Sequence, residues 1–387
     1  MTSKLSMNVN MNVIKTVIQT RMELWVNPNP GQQKRVRSKR HRLNLRMKAV
    51  AAVQEKPEKC TADELHYVRV PNTDWRLALW RYLPSRHNAM TSRKHHPLLL
   101  LTGVGTNAVG YDLSPQASFA RYMSSEGFDT WILEVRGAGL SVKGLESFQR
   151  LSKSSQASIV GNVPMLEDIQ RELDLFLHSD WDFDQLLKDD LPLVVDYVRT
   201  LSSPSDGKLF AIGHSMGGIL LYAMLSLCGF EGRDSHFAAV TTLASSLDYS
   251  SSKSSLKLLL PLADPAVALN IPSIPIGALL AAMHPLASRP PFLLSWLNSQ
   301  ISAQDMMLPE LFDKLVLNNF CTVPAKLLLQ LTTAFQSTGL RDRSGTLFYK
   351  DHLHKSNVPI LALAGDRDLI CPPEAVYGIA YSCSSST

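Results

Sequence analysis

Cysteine is scarce in this 387-residue chain: five residues, Cys60, Cys228, Cys321, Cys371 and Cys383, odd in number and widely spaced. No C-x-x-C occurs, so neither a zinc ribbon nor a redox pair is indicated, and reduced thiols fit best. Cys228 lies in an apolar, helix-like run and reads as a small core residue. No uninterrupted run of 18 apolar residues is present, so no spanning helix is expected. The best candidate, Ile271 to Ala287, is cut by Pro272, Pro275, His284 and Pro285. With 22 Pro and 20 Gly the composition is far from fibrous, and 45% hydrophobic against 19% charged residues is too apolar for a disordered polyampholyte. The length suits one large α/β domain with insertions.

Acids are nearly absent from the beginning of the chain. Up to Ala52 there are eleven Lys and Arg residues and one acid, Glu23. Beyond it, 28 basic residues face 33 acidic ones, so the formal net charge of +5 belongs to the leader and the folded part is mildly acidic. A basic nucleic-acid groove would need the opposite distribution, and no nucleic-acid partner is expected. An Arg-rich, acid-poor leader over residues 1–55 is the mark of an organellar transit peptide, here a chloroplast one, with cytoplasmic residence as the alternative. Around Met47-Lys48-Ala49-Val50-Ala51-Ala52 basic residues give way to small ones, a processing zone. No apolar secretory segment precedes it. The bland alternative is a disordered basic tail that touches membrane or RNA through residues 34–48.

The remainder alternates strands and helices. Leu65–Val70 and Trp75–Tyr82 read as early strands, Pro97-Leu98-Leu99-Leu100-Leu101-Thr102 and Thr130–Val135 as buried ones. Residues 115–127 and 164–200 look helical. Leu209–Ile212 is a strand, Gly217–Leu227 a helix, Ala238–Leu243 a strand, and Val358–Ala364 a further strand. This order implies a parallel, helix-covered α/β sheet. Between Ser250 and about Ser344 the alternation fails in an apolar, Pro-rich stretch. Ordinary helical packing would explain it; a cap over an apolar ligand is the functional expectation. The chain therefore divides into a leader (1–55), a core (56–249), a helical cap (250–345) and a second core part (346–387).

The sharpest local signal is Gly213-His214-Ser215-Met216-Gly217-Gly218, placed between the strand Lys208–Ile212 and the helix that follows. A hydroxyl must be exposed and aimed before a base can activate it. A strained strand-to-helix turn does both, and glycines two residues either side of Ser215 avoid clashes inside it. The helix N-terminus behind Ser215 favours developing negative charge. A chance G-x-S-x-G is expected only about once in ten chains of this length. The bland alternative is a tight-turn serine.

From these residues, over about 65 to 377, the chain resembles the α/β-hydrolase family, serine esterases and lipases among them. The resemblance implies a mostly parallel sheet flanked by helices and an oxyanion hole formed by the amides of Met216 and Val104. Arg136-Gly137-Ala138-Gly139-Leu140-Ser141 looks like the family's turn after its fourth strand, and the phrases around Gly103–Pro115 and Ser215–Gly229 are similar to a plant α/β-hydrolase group. The acid is expected after the strand Pro359–Ala364, where Gly365-Asp366-Arg367-Asp368 matches the family's G-x-x-D; Asp368 is the candidate to orient an imidazole and Asp366 the alternative.

The chain departs from the family in its base. The family order is serine, acid, histidine, yet all 11 histidines precede Asp368 and only nineteen residues follow it. Tyr381 to Thr387 shows neither strand nor helix pattern. The expectation is a chain truncated at its C-terminus, without the last strand, the final helix and the catalytic histidine, and therefore impaired and less stable. His352 and His354 sit before their strand, far from the site; His214 lies inside the elbow and is expected to pack; His284 in the cap is the remaining candidate.

Weaker signals carry little. Gly103-Val104-Gly105 does not continue with dinucleotide-binding spacing, and His95-His96 and His352/His354 have no carboxylate at metal spacing, so no cofactor or metal is expected. The stretch Asp180–Asp190 reads as a solvated helix end. The expected activity is hydrolysis of a small lipophilic ester, with possible outcomes of acyl transfer on the same residues or, as the rival, ligand binding without catalysis. Peripheral membrane contact fits the basic leader.

Overall fold

The computed structural model describes residues 59–84, 94–144, 180–251, 272–288, 298–303 and 306–384. The chain divides into Met1–Ala52 and Val53–Thr387. The leader and its processing zone lie outside the described residues, as do the first half of the expected helix 164–200 and residues 252–271 and 289–297 of the expected cap.

Seven strands form one continuous path. β1 (Glu64–Arg69) runs antiparallel to β2 (Trp75–Tyr82), and β2 antiparallel to β4 (Thr130–Leu133). From β4 onward all pairing is parallel: β3 (Leu98–Leu101), β6 (Leu209–His214), β7 (Phe237–Leu243) and β10 (Ile360–Leu363), in the order β1-β2-β4-β3-β6-β7-β10. The two-residue β5 (Val142–Lys143) pairs with β2. The apolar run Leu98–Leu101 is buried on both faces, as a central parallel strand must be when helices cover both sides.

The helix α1 (Phe119–Ser125) links β3 to β4. It is shorter than the expected 115–127, because the Ser118 hydroxyl caps it by accepting the Arg121 amide at 3.0 Å. α2 (Leu191–Ser202) follows a capped turn at Phe183–Gln185 and a wide-turn segment Leu186–Asp190. The acidic stretch is only partly solvated: Asp190 is buried in a two-oxygen pairing with Arg136, 2.8–2.9 Å. That pairing fixes the turn after β4, where Gly139 adopts φ +55. The Glu134 carboxylate fills the space a Gly139 Cβ would need and accepts the Leu140 and Ala108 amides at 2.7 and 3.0 Å.

α3 (Met216–Glu231) is the central helix, and every residue from Met216 to Cys228 is buried. It carries apolar residues all round because it lies between the sheet and the turn Tyr349–Lys355, whose Tyr349 carbonyl accepts the Ser226 hydroxyl at 2.5 Å. A helix, α7 (Pro373–Ser384), follows β10, so Tyr381–Ser384 continue a helical segment where the sequence shows no pattern. Among the described residues β10 is one edge of the sheet and β1 the other.

Within 250–345, α4 (Ile276–Ser288) packs on α5 (Pro309–Asn318), and β8 (Ser273–Ile274) pairs antiparallel with β9 (Val323–Pro324) ahead of α6 (Ala325–Thr332). The stretch is therefore mixed rather than purely helical.

Candidate active site

Strand order reverses between β3 and β6, the two central neighbours, and in open α/β sheets the crevice beyond the strand ends at such a switch is where ligands bind. Register places Leu101 of β3 opposite Gly213 of β6, so the loop after β3 and the turn after β6 emerge side by side. Ser215 occupies that turn with φ 52 and ψ −120, a combination a non-glycine residue holds only when its surroundings enforce it.

The enforcement is visible. The Ser215 amide donates to Leu243 O of β7 at 3.0 Å, and its carbonyl accepts the Gly218 and Ile219 amides, both at 3.0 Å. The buried Ser245 hydroxyl bridges the Ser215 and Leu243 carbonyls at 2.9 and 2.8 Å. A Cβ at Gly213 would overlap the backbone of Gly217 and Gly218, and one at Gly217 would overlap the Leu101 carbonyl. Both glycines are thus required by close approach of backbone to backbone. Sequence inspection does not single out Ser245, which stands thirty residues from the serine whose carbonyl it holds.

Ser215 is half-buried, and among the described residues no group is hydrogen-bonded to its hydroxyl. The Met216 amide, at the first position of α3, and the Val104 amide likewise have no acceptor among the described residues. The Gly103 Cα faces the Ser215 side chain, with room for a Cβ only 3.5 Å from Ser215 Cβ and from His214 Nδ1. The loop itself is held by the inserted segment: Cys321 N donates to Gly105 O at 2.7 Å, Asn107 N to Asn319 O at 3.0 Å, and Asn107 Nδ2 to Asn318 O at 2.8 Å. Residues after β3 and residues of 250–345 therefore share one rim.

Asp368 lies in the turn after β10. Its carboxylate accepts the Ile370 and Cys371 amides at 2.8 and 2.9 Å, and its own amide donates to Gly365 O at 3.3 Å. Asp366 is exposed, whereas Asp368 is half-buried and its charge reaches His214. The His214 ring is crowded by protein yet open to solvent at the strand end; desolvation lowers its pKa, and the Asp368 carboxylate partly opposes that. Contrary to the expectation that it packs away, His214 is thus exposed at the strand end and feels the charge of the acid.

The other histidines are elsewhere. His352 stacks on Phe230 with ring centroids 4.6 Å apart, fifteen residues along α3 from Ser215, which a helix converts to about 22 Å. His284 is buried on α4 and paired through Nε2 with Asp313 of α5 at 3.0 Å. His95 and His96 sit at the opposite end of the sheet, where a carboxylate from a distant loop meets them.

Comparison with known families agrees with this architecture. Residues 96–387 match the family model for the alpha/beta hydrolase fold. Sterol esterase 2 of Saccharomyces cerevisiae is 27% identical over 141 residues, 36% of this chain and 22% of that protein, so the match spans about a fifth of the relative's length. A soluble variant of monoglyceride lipase from Saccharomyces cerevisiae superimposes with a TM-score of 0.47 at 14% identity, covering 87% of each chain. A carboxylesterase structure from Nitrososphaera gargenis gives 0.43 at 14% identity, covering 82% of this chain and 86% of that one. With the family model matched over three quarters of its length, the chain belongs to the alpha/beta hydrolase fold family.

Proposed function

We propose that the protein is a serine hydrolase of esterase or lipase type that acts on a small lipophilic carboxylic ester. The observation that carries this reading is the strained Ser215 backbone, φ 52 and ψ −120, at the junction of a buried strand and a buried helix. In the proposed reaction the Ser215 hydroxyl attacks the ester carbonyl and the Met216 and Val104 amides receive the oxyanion. Their lack of acceptors among the described residues supports that role. The N-terminus of the sixteen-residue α3 adds partial positive charge at the same place. Asp368 orients or stabilises the imidazole that takes the serine proton and returns it to the alcohol oxygen as the ester C–O bond breaks, so that the alcohol leaves and the acyl group stays on Ser215. Water then releases the acyl group; transfer to another alcohol uses the same residues.

A rival reading, ligand binding without turnover, is favoured by one observation: no imidazole is hydrogen-bonded to Ser215 among the described residues. One experiment separates the two. Turnover of a p-nitrophenyl ester and labelling by a fluorophosphonate are measured on the chain and on Ser215→Ala. Labelling and turnover that the substitution abolishes support the hydrolase; rates indistinguishable between the two chains support the binder. A His214→Asn variant measured alongside reports whether the imidazole beside Asp368 serves as the base.

The basic, acid-poor residues 1–52 support plastid import as part of the same proposal. Incubation with isolated plastids tests it: a shortened, protected product is expected, and an unprocessed chain outside the organelle would refute it.

A further inference from the structure

At the end of the sheet remote from Ser215, two histidines and one carboxylate converge. His95 and His96 immediately precede Pro97 and β3; Asp206 sits in the turn Pro204–Gly207 before β6. The strands bring them together through their register, since Leu98 pairs with Phe210 and the Phe210 amide donates to Pro97 O at 2.9 Å. His96 Nε2 lies 2.9 Å from Asp206 Oδ2, and His95 Nε2 lies 3.8 Å from Asp206 Oδ1. All three ligand atoms fall within 4.8 Å of one another. Tetrahedral zinc with bonds of about 2.0–2.1 Å needs ligand atoms roughly 3.3 Å apart, so the set surrounds a point a cation could occupy after a small movement of the exposed His95.

The set is held in place rather than loosely gathered. The His96 ring packs against buried Phe210, centroids 4.8 Å apart, which fixes its plane. The Lys208 amide donates to Asp206 Oδ1 at 2.9 Å, and the turn is closed by Gly207 N to Pro204 O at 3.0 Å with Gly207 at φ +71. The Ser205 hydroxyl lies 2.6 Å from His95 Nε2, the atom that would ligate, and a metal would displace it. Two imidazoles and one carboxylate suit late first-row divalent ions; Mg²⁺ and Ca²⁺ prefer oxygen-only sets.

We propose that His95, His96 and Asp206 form a surface site for a divalent transition metal of the Zn²⁺ class, clipping the entry of β3 to the turn before β6. Water completes the coordination. Six strand positions at about 3.3 Å each put the site about 20 Å from Ser215, so its effect is on stability and not on the serine chemistry. The sequence hides the site because its carboxylate is 110 residues from His96.

The test is a calorimetric titration of the full chain with ZnCl₂, beside Asp206→Asn and His95→Ala. Both altered side chains are solvent-accessible, and melting without metal checks that each variant folds. The expected result is that wild type binds Zn²⁺ and melts higher with it, that each substitution weakens binding at least about tenfold, and that MgCl₂ produces no response. Affinity unchanged in the folded variants, or an equal response to Mg²⁺, would overturn the proposal. Should Asp206→Asn fail to fold, His95→Ala decides alone.

Discussion

β6 and β10 both pair in parallel with β7, and each is followed by a turn that carries a residue of the candidate site, yet their surroundings differ sharply. The first five residues of β6 are buried, and β6 has paired strands on both sides. All four residues of β10 are half-buried, and among the described residues it has one neighbour, β7. Ser215 is therefore presented by a buried strand paired on both sides and Asp368 by a thinly covered edge. A strained turn needs backbone locked from several directions, and the turn after β6 receives it from β3, β7 and α3 together. On the function proposed above, an acid that acts through charge on an imidazole tolerates more latitude.

This contrast can be broken by truncating one side chain on each strand. Phe210 is 2% exposed in β6, and Phe210→Ala is expected to cost about 3–5 kcal/mol. Ile360 is half-buried in β10, and Ile360→Ala is expected to cost about 1 kcal/mol, since part of its surface already meets water. Urea denaturation of the two variants measures both. Equal losses would show that the edge is as well packed as the centre.

A smaller loss is expected where the elbow itself is overfilled. Gly217→Ala pushes a methyl into the Leu101 carbonyl, backbone against backbone, and should destabilise the protein by the upper part of about 1–3 kcal/mol. An alanine at Gly378, which meets nothing within 4 Å on α7, is the matched control and should be neutral or slightly stabilising. Smaller again is Ser245→Ala, which removes a hydroxyl bridging two buried carbonyls and should cost about 1–2 kcal/mol. Its particular signature is loss of fluorophosphonate labelling at Ser215 out of proportion to the lost stability, because the turn is released.

Much of this contrast was legible in the residues. Leu98–Leu101 and Leu209–Ile212 are short apolar runs, and only a strand buried on both faces can use them, so the central sheet could be read directly. The glycines around Ser215 signalled the turn because no side chain fits there. What escaped were pairings made by the fold alone: Ser245 on the Ser215 carbonyl, Asp190 on Arg136, Asp206 on His96. Each joins polar residues that are common in any sequence and separated by thirty or more positions, so neither spacing nor composition marks them. The open face of His214 escaped for the opposite reason. A residue beside the turn serine on a buried strand looks destined for the core, and only the position of the strand end decides otherwise.

The smallest effect links the two strand ends directly. Desolvation lowers the His214 pKa below 6.5, while the Asp368 charge raises it part of the way back. An unfolded chain therefore binds a proton near pH 6.5 that the folded protein accepts only at lower pH, so this group's stabilising contribution is present above that value and is lost as the pH falls through the gap. His214→Gln should make the fall in melting temperature between about pH 7.5 and 5.5 shallower than in wild type. His236 and His352, whose pKa values are also lowered by burial, keep their part of the slope in both proteins. Asp368→Asn should act the other way: without the carboxylate the folded pKa drops further, and the fall becomes steeper. The Asn oxygen can still accept the Ile370 and Cys371 amides, so the turn after β10 is kept and only the charge is removed. Identical slopes in Asp368→Asn and wild type would mean that the edge strand does not bring its acid to the imidazole at the centre of the sheet.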